Sequence, residues 1–153
     1  MRSALLFAVL ALSLGAGCSN APDPAPAASL KATPAVTHLG NWYWIGSTIG
    51  GQTVLAADPA RYQINFADAG TMLVQADCNR GRGAYVLAAE GFTPGPISLT
   101  KMGCPADSQD RDFLAQLAGA KALLATGDRL RVELGENQGT MHFARDAKAV
   151  LEH

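Results

Sequence analysis

The sequence predicts an α+β domain that is mostly β: one small unit built on a curved, largely antiparallel sheet or open barrel, packed by a single amphipathic helix. Three observations predict it. Short segments rich in β-prone residues recur along the chain, several alternating apolar and polar side chains, with Gly, Pro, Asn or Asp between them. The period changes once, to that of a helix, between Asp107 and Ala118. The composition, 48% hydrophobic and 16% charged, is that of a globular chain, and its net charge of -1 lacks the basic excess that draws nucleic acid.

The first 37 residues are of a different kind. Met1-Arg2 is a short positive start, and Ala4 to Leu14 is apolar apart from Ser13. A bilayer core takes about 20 apolar residues to cross, so residues 1–17 read as a secretory signal. The small residues directly before Cys18 resemble a bacterial lipobox, although Gly15 stands where Leu is commonest and Leu14 comes one step early. That resemblance implies cleavage before Cys18 and lipidation of Cys18 (palmitate or similar chains). Each buried CH₂ of an acyl chain adds about 0.8 kcal/mol of anchoring. The alternative is an ordinary signal cut near Ala16, which leaves Cys18 as a free thiol. Ser19, in place of the Asp that retains some lipoproteins in the inner membrane, favours the outer membrane by the same resemblance. Residues 18–37 carry Pro22, Pro24, Pro26 and Pro34 among alanines and hold too little apolar surface for a core, so they read as a tether.

The folded unit is expected over 38–146, with a tail over 147–153. Trp42-Tyr43-Trp44-Ile45 reads as a strand with both tryptophans on one face as core anchors. Gly50-Gly51 is a turn, and Gln52 to Ala56 its hairpin partner. After Asp58-Pro59, Tyr62, Ile64 and Phe66 alternate inward. Asp68-Ala69-Gly70 turns the chain into Thr71–Ala76, which runs into Asp77-Cys78-Asn79. Gly81 and Gly83 read as loop residues taking backbone angles others avoid. A strand resumes at Ala84–Ala88. Pro94-Gly95-Pro96 marks a loop before a short strand at Ile97–Thr100. In the helical stretch Phe113, Leu114, Leu117 and Ala118 share a face, Asp107 or Ser108 caps the start, and Gly119 suits the C-terminal cap. Ala122–Ala125, Arg129–Leu134 and Thr140–Arg145 complete the sheet, with Leu130, Val132 and Leu134 inward.

The chemistry-bearing residues cluster at Asp77-Cys78-Asn79-Arg80-Gly81-Arg82 and at Cys104. An exported chain keeps disulfides, which makes Cys78–Cys104 the default pairing. The alternatives are a metal pair and a redox pair. The absence of Cys-x-x-Cys spacing, and of a histidine nearby in sequence, favours the disulfide. Asn79, Arg80 and Arg82 are the candidates for contacting a partner. Asn79 can instead bond its own backbone in a turn, and Arg80 can instead pair with Asp77 or Asp110. His38 and His142 are distant in sequence and read as surface or strand residues. The sequence has no serine elbow, no paired carboxylates at recognisable spacing and no phosphate loop, so no catalytic residue, metal or cofactor is assigned.

With these residues in place the sequence resembles the META domain, the HslJ-like family of small bacterial envelope proteins. The matching residues are Trp42; Arg61-Tyr62 with Phe66; Gly70; Cys78-Asn79-Arg80 with Gly83 and Tyr85; Thr100 to Met102 with Cys104-Pro105; Phe113-Leu114 with Leu117; and Gly127-Asp128 with Leu130 and Leu134. The chain departs at Gly81-Arg82-Gly83, where the family often has an aromatic and a small residue before Gly. The resemblance implies a periplasmic or outer-membrane protein, often a lipoprotein, and some members are linked to heat-shock expression, novobiocin resistance, motility or secretion. It implies no catalytic residues. The expectation is a non-enzymatic, lipid-anchored envelope protein that binds other envelope components. Two alternatives stand beside it: a pilot-like or inhibitor-like lipoprotein for one secretin or envelope hydrolase, and a binder of a small apolar ligand, which requires a cavity inside the sheet.

Overall fold

The structure, a computed structural model, describes residues 37–68, 70–135 and 138–151. Residues 1–36, on which the expected signal, the expected lipidation at Cys18 and nearly all of the expected tether fall, lie outside the described residues.

Nine strands form one antiparallel sheet: β1 Gly40–Ile49, β2 Gln52–Leu55, β3 Tyr62–Asp68, β4 Thr71–Ala76, β5 Asn79–Ala88, β6 Gly91–Leu99, β7 Ala120–Thr126, β8 Arg129–Leu134 and β9 Gly139–Ala144. A 3-10 turn, Pro59–Arg61, precedes β3, and the single α-helix among the described residues, α1, Asp110–Ala118, joins β6 to β7. The strand order is β6-β5-β4-β3-β1-β9-β8-β7, with β2 added to β1. The first half of β1 pairs with β3, its second half with β2, and its other edge with β9. The sheet curls until its two end strands meet. A Cβ added to Gly91 of β6 would stand 2.4 Å from the carbonyl oxygen of Lys121 in β7. No ladder joins these two strands among the described residues, so the barrel is nearly closed, and closed by packing.

The alternation expected for β3 and β8 holds, and β4 follows the same period. Tyr62, Ile64 and Phe66, then Met72, Val74 and Ala76, then Leu130, Val132 and Leu134 all point into one core with Trp42 and Trp44. The regular period fails in β1, where the register against β9 shifts between Trp44 and Gly46. This bulge swaps the inward face. Ser47 is buried opposite Met141, while Ile45 turns to the outer side and shares a groove with Val150 and Leu151 of the C-terminal tail.

Helix α1 seals one end of the barrel. Phe113 lies 5.5 Å from Trp44, 5.6 Å from Tyr62 and 6.3 Å from Phe143, ring centre to ring centre. The backbone N–H of Gln109 donates to the Tyr62 hydroxyl at 2.7 Å, and the Ser108 hydroxyl accepts from the N–H of Asp110. A buried relay ties the helix to β1: Trp44 Nε1 donates to Ser47 Oγ at 2.9 Å, and Ser47 Oγ donates to Gln116 Oε1 at 2.5 Å. Gly119 ends the helix at φ -86° and not in the left-handed region expected of a glycine cap. At the other end Phe66, Tyr85 and Phe92 form a second aromatic cluster, covered by His38.

Two segments expected as loops are strand. Pro94 and Pro96 sit within β6, which the ladder tolerates because β6 has no hydrogen-bonded neighbour on its second edge. Asn79 to Gly83 is the first half of β5, paired with both β4 and β6. Gly81 is there for close approach and not for unusual angles: an added Cβ would stand 2.1 Å from the carbonyl oxygen of Ser98 in β6. Gly81→Ala is expected to destabilise the fold by about 1–3 kcal/mol, the usual cost of overpacking. Gly103→Ala, with open space around the new methyl, should stay within about 0.5 kcal/mol. Urea unfolding midpoints of the two variants check this.

Candidate functional site

The corner between β4 and β5 is built on Asp77. Its backbone is left-handed, φ 57°, a conformation that Asp and Asn tolerate better than other side chains. The carboxylate, on a side chain 7% exposed, accepts from Arg61 Nε at 2.7 Å and also from Arg61 Nη2 in a two-pronged pair. The N–H of Asp77 donates to the Arg61 carbonyl at 2.8 Å. Arg61 Nη1 reaches Asp107 Oδ2 at 3.2 Å, so one guanidinium links the 3-10 turn, the corner and the segment leading to α1. The Arg61 hydrogen bonds hold the Asp77 carboxyl below the usual carboxylate range, against the opposing effect of burial, and the same bonds raise the Arg61 guanidinium. The arginine paired with Asp77 is therefore Arg61 and not Arg80. Arg80 lies on β5, where alternation turns it to the outside of the barrel.

Cys78 and Cys104 are joined by a disulfide, with 5.5 Å between their Cα atoms. Asn79 packs beside it. Its Oδ1 accepts from Met102 N at 2.8 Å and from Thr100 Oγ1 at 3.0 Å, while its Nδ2 donates to the Met102 carbonyl at 3.2 Å. Thr100 in turn exchanges bonds with the backbone of Arg80. The sequence groups Asn79 with Arg80 and Arg82, and the structure separates them. Asn79 is 7% exposed, and its amide is spent on holding residues 100–104, which have no ladder of their own, against β5. It is not positioned to contact a partner.

Arg80 and Arg82 project from the opposite side of the same strand and are exposed. The strand registers place them at the ends of two rows that cross the outer face. One runs Tyr43, Gln63, Gln75, Arg80, and the other Asn41, Asn65, Leu73, Arg82. Gln63 Nε2 donates to Gln75 Oε1 at 3.1 Å, and Asn65 Nδ2 donates to Asn41 Oδ1. Asn41, Gln63, Asn65, Leu73, Gln75 and Arg80 line an open groove of about 410 Å³. Neither arginine has an acidic partner among the described residues. These amides escaped the sequence reading because each is unremarkable alone. The signal was the outward position of Gln63, Asn65 and Gln75 in the alternation, and only the register unites them.

The two histidines are engaged elsewhere. His38 meets the Tyr85 hydroxyl at 2.9 Å, that hydroxyl donates to the Asp68 carbonyl, and His142 meets Thr48 Oγ1 at 3.1 Å. Burial lowers the pKa of both imidazoles. Among the described residues no group of three or more His, Cys, Asp or Glu converges as a metal ion requires. The arrangement offers hydrogen-bonding amides and cations on a rigid face.

A family model for the META domain matches residues 37–148. No curated protein gives a significant match. Two solved structures are similar in fold. An NMR structure of a protein from Burkholderia xenovorans superimposes with a TM-score of 0.59 at 16% identity, covering 71% of this chain and 83% of that one. A crystal structure of a DUF4847 family protein from Bacteroides vulgatus gives a TM-score of 0.52 at 14% identity, covering 72% of this chain and 94% of that one.

The corner makes two predictions. Replacing Cys78 and Cys104 by serine removes a cross-link between residues 26 apart and is expected to cost about 3 kcal/mol in urea unfolding, as the loop-closure model gives for this size; reduction of the native chain should match it. For Asp77 the folded carboxyl titrates below its ordinary value of 3.8. Its contribution is present above that value and is lost as the pH falls below it, because the unfolded chain takes up the proton first. Asp77→Asn, which keeps a side chain suited to the left-handed backbone, should flatten the fall of the urea midpoint in that acid range.

Proposed function

The chain belongs to the META domain family, and on that premise we propose that it is a non-enzymatic, lipid-anchored binding protein of the cell envelope that supports tolerance of envelope stress or of an antibiotic such as novobiocin. The observation that carries this reading is the placement of Arg80 and Arg82: exposed on a strand braced by a disulfide, beside an open groove, with no acidic partner among the described residues. Such residues add nothing evident to the fold and suit contact with another molecule. The Cys78–Cys104 disulfide supports a compartment outside the cytoplasm. The lipobox-like run before Cys18 supports a lipid anchor, with the outer membrane favoured.

The reading as a binder of a small apolar ligand has less support. Trp42, Trp44, Phe66 and Phe113 are essentially fully buried inside the barrel, so side chains occupy the space such a ligand would need.

Deleting the gene is expected to raise novobiocin sensitivity and the envelope-stress response. The native gene should restore both, whereas Cys18→Ala, whose product should lack the acyl mass by mass spectrometry, should not. Unchanged sensitivity and stress response in the deletion would remove the stress role. Full rescue by Cys18→Ala would remove the need for the anchor.

A further inference from the structure

We propose that the outer face of β1, β3, β4 and β5 binds an anionic saccharide, a hydroxyl-rich chain that carries carboxylates. The proposal rests on the reading of this protein as an envelope-binding protein and specifies the chemistry of what it binds.

The backbone there is already committed. β3, β4 and β5 are paired on both edges through this region, and residues 40–43 of β1 are paired with β3. A peptide cannot add as a further strand, because that mode needs a free edge. Recognition must come from side chains, and the side chains present are four carboxamides, two guanidinium groups, a half-buried tyrosine and one leucine.

Each carboxamide carries a donor and an acceptor side by side, the pattern that neighbouring sugar hydroxyls complement. Within each amide pair one N–H and one carbonyl are spent on the partner across the strands. This leaves the Gln75 and Asn41 amino groups and the Gln63 and Asn65 carbonyls for a ligand. The cross-strand bonds also hold these side chains in place, which lowers the ordering cost on binding. Tyr43, opposite Gln63, offers an apolar ring face beside the polar row. Leu73, which is 46% exposed, offers a second apolar contact between Asn65 and Arg82.

Charge sets the sign of the ligand. Arg80 lines the groove, Arg82 stands opposite its Leu73 on the neighbouring strand, and no carboxylate lines the groove. Guanidinium groups match carboxylates in two-pronged geometry. The row from Gln63 through Gln75 to Arg80 spans about 10 Å, two strand spacings, so one ligand can meet the amides and an arginine together.

The test is calorimetric titration of the full-length chain in detergent with tetragalacturonic acid, neutral maltotetraose and tetraglutamate. Tetragalacturonic acid is expected to bind with a Kd of about 1 mM or tighter, and the other two about tenfold or more weakly. Arg80→Ala combined with Arg82→Ala, and separately Gln75→Ala, should each weaken the uronate about tenfold while leaving the urea midpoint unchanged. Equal binding of tetraglutamate overturns the proposal in favour of an acidic-peptide surface. No uronate binding at about 10 mM, or binding that the variants leave unaltered, also overturns it. If cross-linking in the envelope still captures a protein through Arg80 or Arg82 when the saccharide fails, the envelope-binding reading survives and only the ligand class falls.

Discussion

The contact on which the rest depends is the seating of Phe113 between Trp44, Tyr62 and Phe143. The sheet cannot close itself with hydrogen bonds, because β6 and β7 approach without a ladder among the described residues. The segment that joins those two strands carries Phe113, which packs on rings from β1, β3 and β9 and so fills the end of the barrel. Burying one phenylalanine against three aromatic rings contributes a few kcal/mol, about the cost of truncating it to alanine. It also fixes where α1 lies, and with it the Tyr62 hydroxyl bond to Gln109 and the Trp44–Ser47–Gln116 relay. Arg61 then extends the same anchorage, since its remaining nitrogen, Nη1, holds Asp107 just before the helix.

Much of this was legible in the sequence because the strands obey a simple period. Tyr62, Ile64 and Phe66 had to share a face, and they do. The helix was readable from Phe113, Leu114 and Leu117 for the same reason. The failures have physical causes. The Trp44–Gly46 bulge exchanges the faces of β1 without a mark that periodicity can detect. Pro94 and Pro96 signalled a loop because proline removes ladder donors, but on an edge strand those donors face no partner. Gly81 and Gly83 suggested freedom of angle, whereas their use is to let β5 and β6 lie close. The chain at this stretch is plain strand.

The candidate site divides along the same line. Cys78, Cys104, Arg80 and Arg82 could be named from the sequence because each type carries chemistry wherever it falls. The Arg61–Asp77 pair could not be assigned, since choosing among nearby arginines requires knowing which face each occupies. The amide rows were illegible for a stricter reason: Asn41, Gln63, Asn65 and Gln75 come from three strands, and only the register makes them neighbours. One strand thus serves two purposes. Its inward side, through Asn79, holds the disulfide corner, and its outward side presents Arg80 and Arg82.

Arg145 gives the place where the chain enters the domain a mechanical character. Its guanidinium stacks 3.6 Å over the Trp42 ring and donates to the carbonyls of Thr37 and Asn41. The segment so gripped leads directly into β1, a strand bonded on both edges. A pull arriving through residue 37 along the strand loads the β3 ladder over residues 40–43 and then the β9 ladder over 43–49, both in shear. A load applied at Thr37 is thus passed to a strand in the middle of the sheet and shared by its neighbours, where a strand at the margin would carry it alone.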